Sequence, residues 1–410
     1  MTPLVTGTYP AAEAVRAHPY PEVRRTLRGL GDTLLRTYDG QRTDRLWPAD
    51  YMVYATNPLS VAYGACGPAL FLSAGGPRSG GPRSGGLPEE AAAWMLSRPL
   101  DNDTYPPGLY VGLAGIAWAF QELGMRERAE TAMATLYRSP LLFDDPSLFL
   151  GVAGWGLASL RFHAATGRQV YLDHAVRAGE ELLRTARREG DTCFWPTSHD
   201  GRVHHGYGYG PSGIALFLLY LHLATGDPRF RSRAVEALEF DLAHAGESGL
   251  GLQWPRFQGD SVLYPYWIHG SAGIGSVLVR FHRLLGIERY GELARRVADD
   301  TYVTYAYAPG LFEGLAGIGE FMLDMYRGTG EEEYRDRAAA IARTVLWFRI
   351  ESAGTTEKTE KPAKAGDGAG IAFPGRWLNR IAHDYATGSA GIGMFLSRLV
   401  DPGPRLLVDL

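Results

Sequence analysis

Residues 267–281 read WIHGSAGIGSVLVRF, a glycine pair at Gly270 and Gly273 that opens an apolar run. The run is longer than the 4–8 residues of an ordinary strand, so it reads as a buried helix. The same arrangement recurs in YVGLAGIAWAF at 110–120, LFEGLAGIGEFMLDM at 311–325 and DYATGSAGIGMFLSRL at 384–399. The full set of pairs is Gly64/Gly67, Gly112/Gly115, Gly151/Gly154, Gly210/Gly213, Gly270/Gly273, Gly314/Gly317 and Gly388/Gly391. A unit repeating at intervals of about 40 to 75 residues points to a closed or stacked architecture rather than a string of unrelated domains.

An amphipathic, charge-bearing helix precedes each copy, as in PYPEVRRTLRGLGDTLLRTY (19–38), QVYLDHAVRAGEELLRTARR (169–188), DPRFRSRAVEALEFDLAHA (227–245) and EEEYRDRAAAIARTVLWF (331–348). Apolar residues three and four apart with Arg and Glu on the other face mark outer helices. The glycine-led helices are apolar on most faces and belong inside. Seven outer and seven inner helices closed into a ring make an all-α fold, an α/α toroid. Glycine inside a helix costs roughly 1 kcal/mol relative to Ala, so a pair used seven times needs a packing reason. Crowding of neighbouring inner helices at the narrow end of the ring is the expected one.

Length alone suggests two or three domains, but a ring must close to bury its inner helices, so residues 1–410 are expected to form one domain. A hydrophobic fraction of 45% can fill a large core, and a formal net charge of −4 gives no reason to expect nucleic acid or an anionic membrane as partner. No apolar run approaches the ~20 residues needed to span a bilayer. Two cysteines, Cys66 and Cys193, make no disulfide framework, and MTPLVTGTYPAAEAVRAHPY lacks the apolar core of a signal peptide, so the expected compartment is the cytoplasm.

Two segments interrupt the repeat. GGPRSGGPRSGG, within a loop near 75–87, cannot bury anything and reads as flexible. The stretch 351–370 carries the chain's only lysines, Lys358, Lys361 and Lys364, and reads as a second flexible insertion; the arginine bias elsewhere is that of a GC-rich bacterial genome. Gly208-Tyr209-Gly210-Pro211-Ser212-Gly213 fits a dinucleotide-binding pattern but lacks its strand and acidic residue, and is the fourth repeat. His204 and His205 are adjacent, which reads as surface solvation rather than a metal site.

Chemistry is expected where a ring concentrates polarity, at the starts of the inner helices. The residue before the first glycine of each pair runs Tyr63, Val111, Leu150, Tyr209, His269, Glu313, Thr387. The fourth to seventh repeats offer groups that exchange protons or hydrogen-bond, which marks one side of the ring. Tyr264, Tyr266 and Trp267 crowd the fifth repeat, and His383, Asp384 and Tyr385 the seventh. Each also has a structural reading, such as a helix-dipole partner for Glu313 or core packing for the aromatics. His269 is the strongest single candidate, since an ordinary pKa near 6.5 suits a general acid or base.

These glycine-rich repeats resemble the lanthionine synthetase C-like cyclases, as does RLWPAD (45–50) followed by TNPLSVAYGACG (56–67). The resemblance implies an α/α toroid that adds Cys thiols to dehydroalanine or dehydrobutyrine. Zinc-dependent members carry Trp-Cys-x-Gly in the fifth repeat and Cys-His-Gly in the sixth. This chain has Trp267-Ile268-His269-Gly270 and Phe312-Glu313-Gly314, with Tyr209 where the catalytic His is expected and Ser147 where an Asp is expected. It is therefore similar to the zinc-free cyclase domains of class III lanthipeptide synthetases, whose lyase and kinase domains would here be separate proteins.

Three readings follow. The first is a metal-independent lanthipeptide cyclase with no cofactor, acting on a dehydrated precursor peptide. His269 would take the thiol proton and Tyr209 or His383 return one to carbon, while Tyr264, Tyr266, Trp267, Glu313, Asp384 and Tyr385 contact the peptide. Free N–H groups of the inner helices would aim into the cavity and stabilise the enolate. The second is a non-catalytic peptide-binding scaffold. The third is a sugar hydrolase or epimerase using Glu313 and Asp384 as paired carboxylates.

Overall fold

A computed structural model describes residues 19–74, 86–352 and 370–410. Outer and inner helices alternate along the chain: α1 (Tyr20–Thr37), α2 (Cys66–Ala74), α3 (Glu89–Ser97), α4 (Leu113–Glu122), α5 (Arg126–Leu136), α6 (Val152–Thr166), α7 (Gln169–Thr185), α8 (Pro211–Thr225), α9 (Pro228–Ala243), α10 (Ser271–Leu285), α11 (Glu288–Thr301), α12 (Leu315–Thr329), α13 (Glu332–Trp347) and α14 (Ser389–Val400). The even-numbered, glycine-led helices are buried almost all round; α8 is buried continuously from Pro211 to Leu221. The odd-numbered ones bury a stripe, such as Tyr171, Ala175, Ala178 and Leu182 of α7. Each inner helix packs on two inner neighbours, and α14 packs on both α12 and α2, which closes the ring. This is the expected α/α toroid of seven outer and seven inner helices. An outer helix lies on the inner helix before it in sequence, α5 on α4 through α13 on α12, and α1 completes the outer layer by lying on α14.

Strand among the described residues is confined to three antiparallel two-stranded hairpins: β1 (Arg187–Glu189) with β2 (Thr192–Phe194), β3 (Gly246–Glu247) with β4 (Leu252–Gln253), and β5 (Ile350–Ser352) with β6 (Gly370–Ala372). The last joins the two ends of the 351–370 insertion. The rest of that insertion and residues 75–85 of the other loop lie outside the described residues; Gly86 and Leu87 form a bend.

The glycine pairs do something other than crowd helices. Ahead of each inner helix the chain doubles back over the helix start. The N–H groups of Ser271 and Ala272 donate to the carbonyls of Tyr264 and Pro265, those of Leu315 and Ala316 to Ala308 and Pro309, and those of Val152 and Ala153 to Asp145 and Pro146. A Cβ on Gly317 would overlap the Leu311 carbonyl and stand 2.9 Å from the Trp267 Cβ, so only glycine admits this return of the loop. First-turn amides that a helix leaves open are thus spent inside the loops in six of the seven inner helices, and in α8 the Ser212 N–H donates to Asp241 Oδ2, which corrects the expectation that they aim into the cavity.

Helix-to-helix contact falls to a third glycine two residues further on. A methyl group on Gly156, Gly275, Gly319 or Gly393 would overlap the ring of Phe217, Phe321, Phe395 or Phe71 respectively, each on the next inner helix. The last of these is the closing contact from α14 to α2.

The loops are joined to one another as well. The residue two before the first glycine donates its N–H to the equivalent carbonyl of the next repeat: Ala62 to Tyr110, Tyr110 to Phe149, Phe149 to Gly208, Gly208 to Ile268, Ile268 to Phe312, Phe312 to Ala386, and Ala386 back to Ala62, at 2.9 to 3.5 Å. Seven backbone hydrogen bonds form a closed circle at one end of the toroid, and the residue after each member is the one that the sequence comparison singled out. The side chains of Tyr110, Phe149 and Phe312, members of the circle, cluster with Tyr207 and Trp267, the ring centroids 4.6 to 6.4 Å apart. Arg405, against the Trp267 ring of this cluster, joins Arg280 and Arg398 in pairing with Glu320, Asp324 and Asp409.

Candidate functional site

A cavity of about 200 Å³ opens above the backbone circle. Five of the residues that precede a first glycine line it: Tyr63, Tyr209, His269, Glu313 and Thr387. Val111 and Leu150 do not. Because the ring closes, the first repeat is the neighbour of the seventh, so Tyr63 belongs to the same arc as the fourth to seventh repeats. Phe149, Ile268 and Phe312 supply apolar wall, and Met52, Tyr307 and Arg376 enter from outside the repeat.

His269 and Tyr209 face each other with rings parallel, centroids 4.8 Å apart and 2° between planes. His269 Nδ1 is buried without a hydrogen-bond partner. Burial, aided by His204 and Arg256 nearby, pushes the His269 pKa down to about 3, so the ring is neutral near pH 7. Burial raises the Tyr209 phenol well above its ordinary value.

Arg376 donates from Nη2 to the Tyr63 hydroxyl at 3.2 Å, and its Nε stands 3.4 Å from an Asp50 carboxylate oxygen. Burial alone would lower its pKa; the neighbouring Tyr63, Asp50 and Glu313 more than offset this and hold the guanidinium charged. Asp50 is itself positioned, its N–H donating to Asp384 Oδ2 at 3.0 Å while Asp384 Oδ1 accepts from the Thr387 N–H at 2.7 Å. The two residues after Arg376 are Trp377 at φ 63° and Leu378 at φ 55°. Left-handed backbone at non-glycine residues costs of order 1–3 kcal/mol each and clusters at functional sites.

Several expected site residues lie elsewhere. His383 is buried, with Nδ1 3.2 Å from the Ser389 hydroxyl, and does not line the cavity. Asp384 is fully buried as the support for Asp50 and Thr387, so it makes no carboxylate pair with Glu313 across the cavity. Trp267 and Tyr385 are core; the Arg405 guanidinium lies 4.0 Å from the Trp267 ring. Tyr264 carries the Arg256 guanidinium 4.7 Å from its ring. Tyr266 packs edge-on against Tyr307, one layer behind the wall. His204 and His205 are buried rather than solvated: His205 Nδ1 pairs with Asp241 at 2.8 Å and His204 Nε2 with Asp200 at 3.0 Å. Ligand-type atoms of His199, Asp200 and His204 lie within 4.8 Å of one another, but the Asp200 carboxylate is already engaged by Thr197, Arg202 and His204.

Arg376, Tyr63, Tyr307 and Asp50 are the residues that the sequence reading passed over. Tyr63 stood in the compared series, and Asp50 ends the RLWPAD segment. Arg376 carried no repeat signal, because it follows the insertion and reaches the cavity only through the path of the chain after β6.

A toroid whose polar groups gather at the glycine-led ends of its inner helices defines a class, and the sequence matches one family over most of its length. The chain belongs to the lanthionine synthetase C-like protein family, matched over residues 55–366. It is 28% identical over 366 residues to the probable SapB synthase of Streptomyces coelicolor, covering 88% of this chain and 36% of that protein, so it spans about a third of that relative's length. Nisin cyclase superposes with a TM-score of 0.60 at 13% identity, covering 85% of this chain and 90% of its own. The Lin0763 protein from Listeria innocua gives 0.52 at 11% identity, covering 93% and 97%. At such identities the likeness speaks to the fold alone. No helix among the described residues is long and apolar enough to cross a membrane.

Proposed function

We propose that this chain is a one-domain, cytoplasmic, thioether-forming cyclase that adds Cys thiols to dehydroalanine or dehydrobutyrine in a precursor peptide, without a metal. The observation that carries the reading is His269, a neutral imidazole that lines the cavity; its Nδ1 is buried without a partner, and Nε2, which no protein group engages, is the nitrogen open to substrate. A substrate thiol is the donor it lacks. His269 accepts the proton as sulfur bonds to the alkene β-carbon, and the proton then passes to the α-carbon, with Tyr209 stacked on the imidazole to hold its plane. Exposed Tyr54, Tyr305 and Trp377 supply apolar contact for a peptide of mixed sequence. Separate kinase and lyase proteins would supply the dehydrated peptide; neither nucleic acid nor membrane is a partner.

Donor chemistry supports metal independence. At the three positions where zinc-dependent relatives place ligands, Ile268 and Phe312 offer no lone pair and Glu313 offers one carboxylate. The Ile268 side chain packs where a Cβ on Gly208 would stand 2.7 Å away, and Phe312 sits 5.2 Å from Tyr110 and 5.8 Å from Trp267 by ring centroids. The set does not fit a tetrahedral zinc, which takes sulfur, nitrogen or oxygen donors.

A scaffold role is favoured by one observation: at the expected Asp position, the Ser147 hydroxyl makes a turn contact, accepting the Leu150 N–H. Incubation with a dehydrated precursor separates the two readings. Faster or redirected ring closure, followed by free-thiol loss and ring stereochemistry, supports the cyclase; binding with neither overturns it in favour of the scaffold.

A further inference from the structure

Addition of a thiol to a dehydroamino acid places negative charge on the carbonyl oxygen next to the alkene. Something must receive that charge, and the helix N-termini expected to do so have their first amides engaged by protein, six of them by carbonyls of their own loops and α8 through the Ser212 N–H by Asp241 Oδ2. Among the residues lining the cavity, Arg376 is the one Lys or Arg. We infer that Arg376 forms an oxyanion site, its guanidinium receiving the carbonyl oxygen of the dehydroamino acid as that oxygen becomes an enolate.

The site is built rather than incidental. The guanidinium is tied at Tyr63 and faces Asp50, and Asp50 is in turn held by Asp384. Nε is buried facing the Asp50 carboxylate and Nη2 donates to Tyr63, whereas Nη1 is engaged by no protein group, so its N–H donors remain for an incoming oxygen. Arg376 is delivered by a tight loop, with the Gly375 N–H on the Arg380 carbonyl and the Leu378 N–H on the Gly375 carbonyl. Three non-glycine residues in the described chain have left-handed backbone, and two of them are Trp377 and Leu378, directly after Arg376. Such strain persists only where surrounding contacts over-determine it, here by fixing where the arginine points. A planar fork of N–H donors suits an oxygen better than a sulfur.

The electron count closes without a co-reactant. A sulfur lone pair forms the S–Cβ bond as the thiol proton leaves to His269. The Cα–Cβ π pair moves to Cα–C, and the carbonyl π pair to oxygen beside Arg376. The α-carbon then takes the proton, and the enolate returns to the amide.

This inference rests on the cyclase reading, and the test separates them. Ring closure of a dehydrated precursor is measured with wild type, Arg376→Lys, Arg376→Gln and, as a control on the same loop, exposed Arg380→Gln, with peptide affinity measured by fluorescence anisotropy. An oxyanion donor is expected to contribute about 10²–10³-fold in rate at saturating peptide. Arg376→Gln should lose that much with affinity within a few-fold, Arg376→Lys should recover part, and Arg380→Gln should match wild type. The loss should be the same at every pH from 6 to 9. Recovery of Arg376→Gln at high pH would mean that the arginine acts on the thiol, and would overturn the assignment. Equal rates for Arg376→Gln and wild type overturn it as well, with the cyclase reading intact. An inactive wild type removes the cyclase reading, and this inference with it. If Arg376→Gln fails to fold, as judged by circular dichroism, Arg376→Lys carries the test, and a rate equal to wild type combined with an unchanged product diastereomer ratio counts against the assignment.

Discussion

The rings of Tyr209 and His269 lie parallel at 4.8 Å, joining the fourth and fifth repeats across the cavity wall. The stack holds the imidazole plane and leaves Nδ1 without a partner. His269→Ala should slow cyclization by about 10²-fold, the low end for losing a general acid or base, with peptide affinity within a few-fold. Tyr209→Phe, which keeps the stacked ring, should cost far less than Tyr209→Ala. His163→Ala, at the far end of α6, should change nothing. With His269 held near pKa 3, the rate should show no imidazole titration between pH 5 and 8 and should rise toward the substrate thiol's own pKa. An inflection near 6.5 that vanishes in His269→Ala would contradict the neutral-imidazole assignment.

The third glycine of a repeat makes a separate stability prediction. Gly275→Ala gains helix propensity, but its methyl would overlap the Phe321 ring. Overpacking a core costs about 1–3 kcal/mol, so the net change should be destabilising and read as a lowered midpoint in thermal unfolding. Pairing it with Phe321→Leu should return part of the loss, because the two changes share one contact. Additive effects would show that the notch does not set the spacing of α10 and α12.

The repeat made the toroid legible, since seven glycine-led apolar runs and their amphipathic partners admit few other arrangements. The position before each first glycine also pointed at the cavity, because a symmetric fold puts equivalent residues at equivalent places. What the pattern could not give was the neighbour relation at the seam, which brings Tyr63 beside Thr387, or the reach of Arg376, which depends on where a non-repeating loop returns. The same limit explains the misplacement of His383, Asp384, Trp267 and Tyr385. Nearness in sequence to a repeat does not say on which side of an extended loop a side chain falls.

Acid should weaken the fold partly through His383. Burial lowers its pKa to about 4, whereas the unfolded chain takes the proton near 6.5. The unfolded state therefore binds the proton first, and the contribution of neutral His383 is fully present above pH 6.5 and lost as pH falls toward 4, an effect of about 3 kcal/mol. Asp384 next to it works the other way: its pKa is raised to about 6 by burial, so its protonation favours the fold as pH falls below 6. His383→Gln removes only the first contribution. The drop in melting temperature between pH 7 and 4.5 should be smaller in the variant than in wild type, and an equal or larger drop would show that His383 does not titrate as described.

Zinc content tests the site's chemistry from another side. Ile268, Phe312 and Glu313 all line the cavity, and only Glu313 can ligate, so purified protein should hold far less than about one zinc per chain, and a chelator should leave ring closure unchanged. The backbone at these positions is fixed by the hydrogen-bonded circle, through Ile268 N–H to the Phe312 carbonyl at 3.2 Å. The combined change Ile268→Cys, Phe312→Cys and Glu313→His would set two thiolates and an imidazole on that frame, a common zinc donor set. The triple variant should take up about one zinc per chain, retained through gel filtration, while wild type under the same loading does not. Stoichiometric zinc in wild type that survives chelation, and is lost in His204→Ala, would instead assign a metal to His199, Asp200 and His204 and end the metal-independent reading.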